Sequence, residues 1–434
     1  MGVAMSDTII EPGTDEALAE EKLSRSMVGR DAYTMPLEEI DLSHPGIWFA
    51  NEYLPFLERL RKEDPVHYCA DSAVGPYWSV TKYQDIMTVD TSPEIYSSEP
   101  TIGITDPLEE YTLPMFIAMD QPKHDVQRKT VQGVVSPMNL QKLEGVIRER
   151  AGNILDSLPL GETFNWVDKV SIELTTQMLA TLFDFPFEDR HKLTFWSDVA
   201  TSLPGNGIID SYEQRWEILQ DCHQYFTKLW NDRVNSEPGD DMDLISMLAH
   251  GEATRDMPPI EFLGNVLLLI VGGNDTTRNS ITGGVLALNE NPAEYQKLRE
   301  NINLIPNMVS EIIRWQTPLA YMRRTAKVDA ELNGKHIKAG DKVVMWYVSG
   351  NRDEEKIENA HQFLIDRDKA RQHLSFGFGI HRCMGNRLAE MQLRVLWEEI
   401  MQRFQKIEVV GEPVRIYSSF VKGYSELPVR LHSK

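Results

Sequence analysis

The sequence predicts a mainly α-helical protein with small β-sheets, and three observations carry that prediction. Apolar residues recur with helical period over residues 139–158, 167–183, 213–234, 259–288 and 386–404. Strand-like alternation is confined to short pieces such as 76–80 and 342–347. The 434 residues, 41% of them hydrophobic, suffice for a large core, and no Pro- or Gly-rich linker divides them. The expected organisation is a polar N-terminal segment over 1–40, mobile for want of apolar anchors, followed by one domain over 41–434.

Composition removes several function classes. A net charge of −22 argues against nucleic acid or an anionic membrane as partner. The three cysteines, Cys69, Cys222 and Cys383, form no C-x-x-C pair and have no zinc spacing, so neither a disulfide framework nor a zinc site is expected. The longest fully apolar run, 266–271, is far short of the roughly 20 residues a bilayer demands. No charged-then-apolar leader follows Met1, so the expectation is a soluble, cytoplasmic protein.

Residues 259–288 read as one helix of roughly 30 residues, about 45 Å long, opened by Pro258-Pro259 and ended by Asn291-Pro292. Gly272 and Gly273 interrupt its apolar run at a cost of roughly 1 kcal/mol each, so they need a reason. One reason is room for a ligand, with a local distortion in which Thr276 bonds the preceding turn and opens a pocket. Asp275 would then supply a carboxyl beside that hydroxyl, a pair suited to general acid chemistry. The alternative is a glycine-mediated helix crossing with a solvated aspartate. Further on, Glu311 and Arg314 stand three apart on one helix face, where they can pair.

Cys383 lies in Phe376-Gly377-Phe378-Gly379-Ile380-His381-Arg382-Cys383-Met384-Gly385, just before the last long helix. The glycines allow a tight backbone close to a flat ligand, and helix-terminal N–H groups near the sulfur are expected to favour a thiolate. Phe376, Gly379, His381, Cys383 and Gly385 stand at the spacing F-x-x-G-x-H-x-C-x-G. This loop resembles the haem-binding loop of the cytochrome P-450 monooxygenases, and Gly272-Gly273-Asn274-Asp275-Thr276-Thr277 resembles the oxygen-activating helix of the same family.

The resemblance implies the cytochrome P-450 fold and haem b with Cys383 as axial iron ligand, Phe376, His381 and Gly385 lying against the group. It implies propionate partners at His124 and Arg128 in an H-x-x-x-R pair, at Arg324 and at His373. Asp275 and Thr276 become the catalytic proton-delivery pair. Leu268, Val271, Gly272, Leu319, Ala320, Phe420 and Val421 match substrate-contacting positions, all apolar or small. Glu311, Arg314 and Arg367 resemble a structural brace. Many members carry alanine where Gly272 stands, and its effect on the oxygen pocket is open between a wider pocket and a looser helix.

Residues 319–326 and 373–387 further resemble the bacterial alkane and fatty-acid terminal hydroxylases. The implied reaction inserts one atom of O2 into a terminal C–H of a medium-length linear, apolar small molecule. Alternatives are a steroid or terpene hydroxylase, a peroxide-driven fatty-acid hydroxylase, and a non-enzymatic haem sensor or carrier. No flavin or nicotinamide domain follows the haem segment, so electrons are expected from a ferredoxin and its ferredoxin reductase with NAD(P)H. Arg371, Arg382, Arg387 and Arg394 surround the loop with Glu390 the only acid between them, a patch suited to an acidic partner, with Arg382 expected to turn inward.

Overall fold

The computed structural model describes residues 26–204, 206–236 and 243–434. Of the segment expected to be mobile, residues 1–25 lie outside the described residues. Residues 26–40 correct the expectation: Met27, Ala32, Met35 and Ile40 are buried and pack with Trp48, Phe56 and Leu57. A few apolar anchors suffice against a preformed wall, since full burial of one large side chain is worth about 1.5–3 kcal/mol.

Eight helices place the site: α1 (Lys123–Val131), α2 (Pro137–Asp156), α3 (Glu173–Phe183), α4 (His191–Thr201), α5 (Tyr212–Val234), α6 (Pro259–Glu290), α7 (Ile305–Gln316) and α8 (Asn386–Arg403). Their starts follow local chemistry. The Ser136 and Ser211 side chains accept from the Asn139 and Gln214 N–H groups and so cap α2 and α5. Ahead of α3, Val167–Ile172 is wound as a π-helix, a departure that the apolar period of 167–183 does not reveal.

Five strands form the main sheet: β1 (Val66–Cys69), β2 (Tyr77–Val80), β3 (Tyr96–Ser97), β4 (Met322–Ala326) and β5 (Lys342–Met345), in the order β1-β2-β5-β4-β3. Only β2 and β5 run parallel, with Trp78 opposite Val343. The sequence signals two of these strands. A second sheet of Thr163–Asn165, Phe404–Val409 and Pro428–Ser433 carries no such signal, because its partners are far apart in the chain.

Helix α6 runs for 32 residues through the core and packs on α3, α4, α7 and α8. It is unbroken at Gly272-Gly273, so the expected distortion is absent, although Thr276 Oγ1 does donate to the Gly272 carbonyl at 3.0 Å. The two glycines have different reasons. A Cβ at Gly273 would lie 2.7 Å from Leu179 Cδ2 of α3, so this glycine lets two helices close; a Cβ at Gly272 would meet no atom within 4 Å.

Beneath α7 lies a buried ion network. Arg314 donates to both Glu311 carboxylate oxygens at 2.7 and 2.8 Å, and Arg367 Nε donates to Glu311 Oε2 at 2.9 Å. The Leu364 N–H also donates to Glu311 at 2.9 Å, while Arg314 Nη1 donates to the carbonyls of Asn351 and Ala360. Glu311 and Arg314 are fully buried, so each charge has traded water for protein partners.

Glu311→Ala strands two buried guanidinium groups and is expected to cost about 3–5 kcal/mol, read as a lower midpoint in urea denaturation. In thermal melting of paired variants, Gly273→Ala is expected to lower the midpoint through its clash with Leu179. Gly272→Ala should hold or raise it, since alanine is favoured by roughly 1 kcal/mol in a helix interior.

Candidate active site

The loop before α8 is closed by a Cys383 N–H to Phe376 carbonyl bond of 2.8 Å, with Gly377 and Gly379 at φ of 61° and 64°. A Cβ at Gly379 would also lie 2.3 Å from the Asp90 carbonyl oxygen, so no other residue fits there. Asp90 anchors the loop from behind. One oxygen accepts from the Phe378 N–H at 2.7 Å and the Tyr347 hydroxyl at 2.9 Å, and the other pairs with Arg324 at 2.8 Å.

Cys383 opens onto a deep cleft whose opposite wall is α6, through Leu268, Leu269, Gly272, Gly273, Thr276 and Thr277. The thiol is nonetheless enclosed by protein, and burial pushes its pKa up. The Gly385 and Asn386 N–H groups, with Arg128 and Arg382, pull the other way and lose. The loop alone therefore does not favour the thiolate as expected from the helix terminus. A metal cation does, because a coordinating thiol is deprotonated outright.

The residues around Cys383 fit a haem. A Cβ at Gly385 would meet no protein atom within 4 Å, which leaves flat space beside the sulfur. Buried imidazole nitrogens on the same side lack any protein partner: both of His381, Nε2 of His124 and Nδ1 of His373. Native interiors rarely leave such groups unpaired, so they await a polar ligand. Burial pushes the His373 imidazolium down to about 3, and burial with Arg324 nearby pushes that of His381 far down too. Both rings are then neutral. Arg128 and Arg324 supply the positive charge that two propionates need, and Cys383 would hold the iron.

Of the expected residues, Arg128, Arg324, Phe376, His381, Cys383, Gly385, Thr276, Leu268, Gly272 and Leu319 all line the cleft. His124 and His373 stand one layer behind, their rings 4.2 Å from His381 and 5.2 Å from Phe376. Val271, Ala320, Phe420 and Val421 do not line it. Val271 falls off the stripe 268, 272, 276 that α6 presents. Ala320 turns away from Leu319 by strand alternation, its N–H donating to the Phe420 carbonyl at 2.9 Å, and Val421 pairs with Leu319. Phe420 packs on Tyr321 at 5.1 Å, while Val421, directly opposite Leu319, shares the face of that residue without reaching the cleft surface. Met178, Leu182 and Phe116 also line the cleft, and nothing local marks them, since they reach it from distant helices and loops.

Asp275 is fully buried and does not line the cleft. It accepts from Arg278 Nη2 at 2.8 Å and Asn274 at 3.1 Å, and the same Arg278 nitrogen reaches Asp198 of α4 at 2.9 Å. The solvated-aspartate alternative is thereby excluded. Burial, only partly offset by Arg278, raises the carboxyl to about 6, where a proton exchanges readily near neutral pH. The Thr276 hydroxyl faces the cleft while its neighbour's carboxyl is turned toward α4.

On the outer side of the loop, Arg371, Arg382 and Arg387 are exposed. Arg382 does not turn inward; its guanidinium lies 5.9 Å from the Phe378 ring centroid. Arg394 pairs with Glu144 of α2 and with Glu398 one turn along α8, both at 2.9 Å, and the two acids cancel its expected contribution to the patch.

Comparison with known proteins gives a consistent answer. The cytochrome P450 family model matches residues 142–421. The chain is 33% identical over 410 residues to linalool 8-monooxygenase of Pseudomonas putida, covering 92% of this chain and 100% of that protein. It is 32% identical over 413 residues to the methyl-branched lipid omega-hydroxylase of Mycobacterium tuberculosis, covering 91% and 95%. A solved cytochrome P450-153 from Novosphingobium aromaticivorans shares the fold at a TM-score of 0.85 and 47% identity, covering 90% of this chain and 99% of that one. Members of the family bind haem through a cysteine thiolate, the arrangement that Cys383 and its unpaired neighbours require. The chain belongs to the cytochrome P450 family and is a monooxygenase of the haem-thiolate type.

Proposed function

We propose that this monooxygenase hydroxylates the terminal C–H of medium-length linear substrates, alkanes or fatty acids, with electrons from a ferredoxin. The observation that carries the reading is the division of the cleft. Among the described lining residues, the ionisable groups Arg128, Arg324, Tyr347, His381 and Cys383 cluster around the cysteine loop, while Leu268, Leu269, Met178, Leu182 and Leu319 offer hydrocarbon alone. A methylene chain gains about 0.8 kcal/mol per buried CH2 in such a site and finds no anchor for a polar group beside the reacting carbon. The omega-hydroxylase among the relatives supports an attack on chain ends. The linalool 8-monooxygenase supports a second reading, an acyclic terpene in the same cleft.

Haem, when bound, supplies oxygen activation; the chain supplies the rest. Cys383 would hold the iron through its sulfur, and the leucines exclude water. Gly272 leaves room where a substrate end meets α6. Thr276 presents a hydroxyl to that room, and Asp275 holds an exchangeable proton one residue away. Electrons would arrive at the exposed face of Arg382 and Arg387, where an acidic ferredoxin finds opposite charge, while Arg371 beside it is paired with Glu390 at 3.4 Å. No helix among the described residues is long and apolar enough to cross a membrane, which accords with the proposed cytoplasmic setting.

Titration of the oxidised holoenzyme with octane, octanoic acid and a sterol separates the substrate classes. A high-spin shift with the linear compounds is expected, and silence to both of them would end the linear-chain reading. Arg387→Glu is expected to slow ferredoxin-supported reduction several-fold at low salt, with the gap closing as ionic strength rises; an equal rate at every salt concentration would remove Arg387 from the docking face.

A further inference from the structure

Phe116 and Ile117 line the cysteine cleft although they belong to no long helix. Two adjacent residues of α6 hold them there. A Cβ at Gly264 would lie 2.0 Å from the Pro114 carbonyl oxygen, so only glycine lets the segment lie this close to the helix. Asn265, fully buried, accepts the Phe116 N–H on Oδ1 at 2.9 Å.

Asn265 is in turn held from α1. Its Nδ2 donates to Gln127 Oε1 at 3.1 Å, and Gln127 Nε2 donates to Glu261 Oε1, back on α6. The exposed Lys123 closes the chain on Glu261 Oε2 at 2.7 Å. Asn265, Gln127 and Glu261 are all buried, so none of these bonds has water as a ready substitute. On α1, Lys123 and Gln127 stand one turn apart, each next to a member of the His124 and Arg128 pair that serves the cysteine side.

The chain of bonds has a direction. An amide side chain donates at one end and accepts at the other, and taken alone it can be turned either way. Here the two ends of the chain are fixed: the Glu261 carboxylate, paired with Lys123, only accepts, and the Phe116 N–H only donates. Both amides between them are therefore locked. Turning either one sets two donors or two acceptors face to face inside the protein.

We infer that Asn265 is a positioning residue for substrate selection. It holds Phe116 and Ile117 at the cleft wall, and the direction of its amide is set through Gln127 by Glu261. The inference rests on the reading of this cleft as the substrate site, and it requires no particular substrate class. A ligand large enough to lean on the wall depends on its fixity; a small one bound beside the sulfur loop does not.

The test uses the holoenzyme with two nitrogen ligands of haem iron, imidazole and the bulkier 1-phenylimidazole, and hydrogen–deuterium exchange over residues 113–119. Asn265→Asp keeps the shape but removes the donor that meets Gln127. Exchange over 113–119 should quicken and 1-phenylimidazole should bind about tenfold more weakly, the equivalent of 1.4 kcal/mol. Imidazole should hold its affinity within about twofold. Adding Glu261→Gln reverses every bond between the two ends, since the new amide donates to Gln127 and still accepts from Lys123. The double variant should regain both the slow exchange and the affinity for the larger ligand. Glu261→Gln alone, a milder change, should give a smaller loss of the same kind, which keeps the inference testable if Asn265→Asp does not fold. The inference is overturned if the single variants leave exchange and the ratio of the two affinities unchanged, if both ligands weaken equally, or if the double variant is no better than the sum of the singles. Silence to octane and octanoic acid would end the linear-chain reading and leave this result untouched.

Discussion

The carboxylate of Glu311 has no water to fall back on, and the rest of the site depends on how that is resolved. Isolated, it would be intolerable at such depth; met by Arg314, Arg367 and the Leu364 N–H, it becomes a fixed point. A buried ion network of this kind adds little net stability, because desolvation offsets the attraction. Its use is positional. The same guanidinium groups hold the carbonyls of Asn351, Ala360 and Gln362, and so tether the irregular chain that leads into the cysteine loop.

From that tether the cleft acquires two unlike walls. On the loop side, Asp90 gathers Phe378, Tyr347 and Arg324, and neutral imidazoles wait without partners. On the α6 side there are hydrocarbon, the hydroxyl residues Thr276, Thr277 and Ser280, and the empty space over Gly272. A charged, flat group belongs against the first wall, as the haem of the family requires. Asp275 is buried behind the second wall, where Arg278 joins it to α4 through Asp198. Any shift of α4 would thus be felt by the acid.

The sequence made the central features legible wherever function is written in local spacing. The ten residues up to Gly385, the acid and alcohol on one long helix and the Glu311–Arg314 pair needed no tertiary information. Errors arose where a property depends on what lies across space. Arg382 was expected to turn inward, yet it is exposed with its guanidinium 5.9 Å from the Phe378 ring. Arg394 looked free until Glu144 arrived from α2, although Glu398, four residues along α8, was already within reach. Ala320 was matched to a cleft position, yet it alternates away from Leu319 and does not line the cleft.

The amino-acid sequence by itself determined the helical class, the metal-binding sulfur, the family and the place of the oxygen-side pair, because each rests on neighbours within a few turns of chain. Tertiary structure alone decided which of two adjacent glycines seats a helix and which leaves a void, since only the position of Leu179 distinguishes them. It also decided that Asp275 is buried beside Arg278. Those outcomes depend on distances between segments far apart in the chain, and the free energy of a charge depends on everything within several ångströms of it.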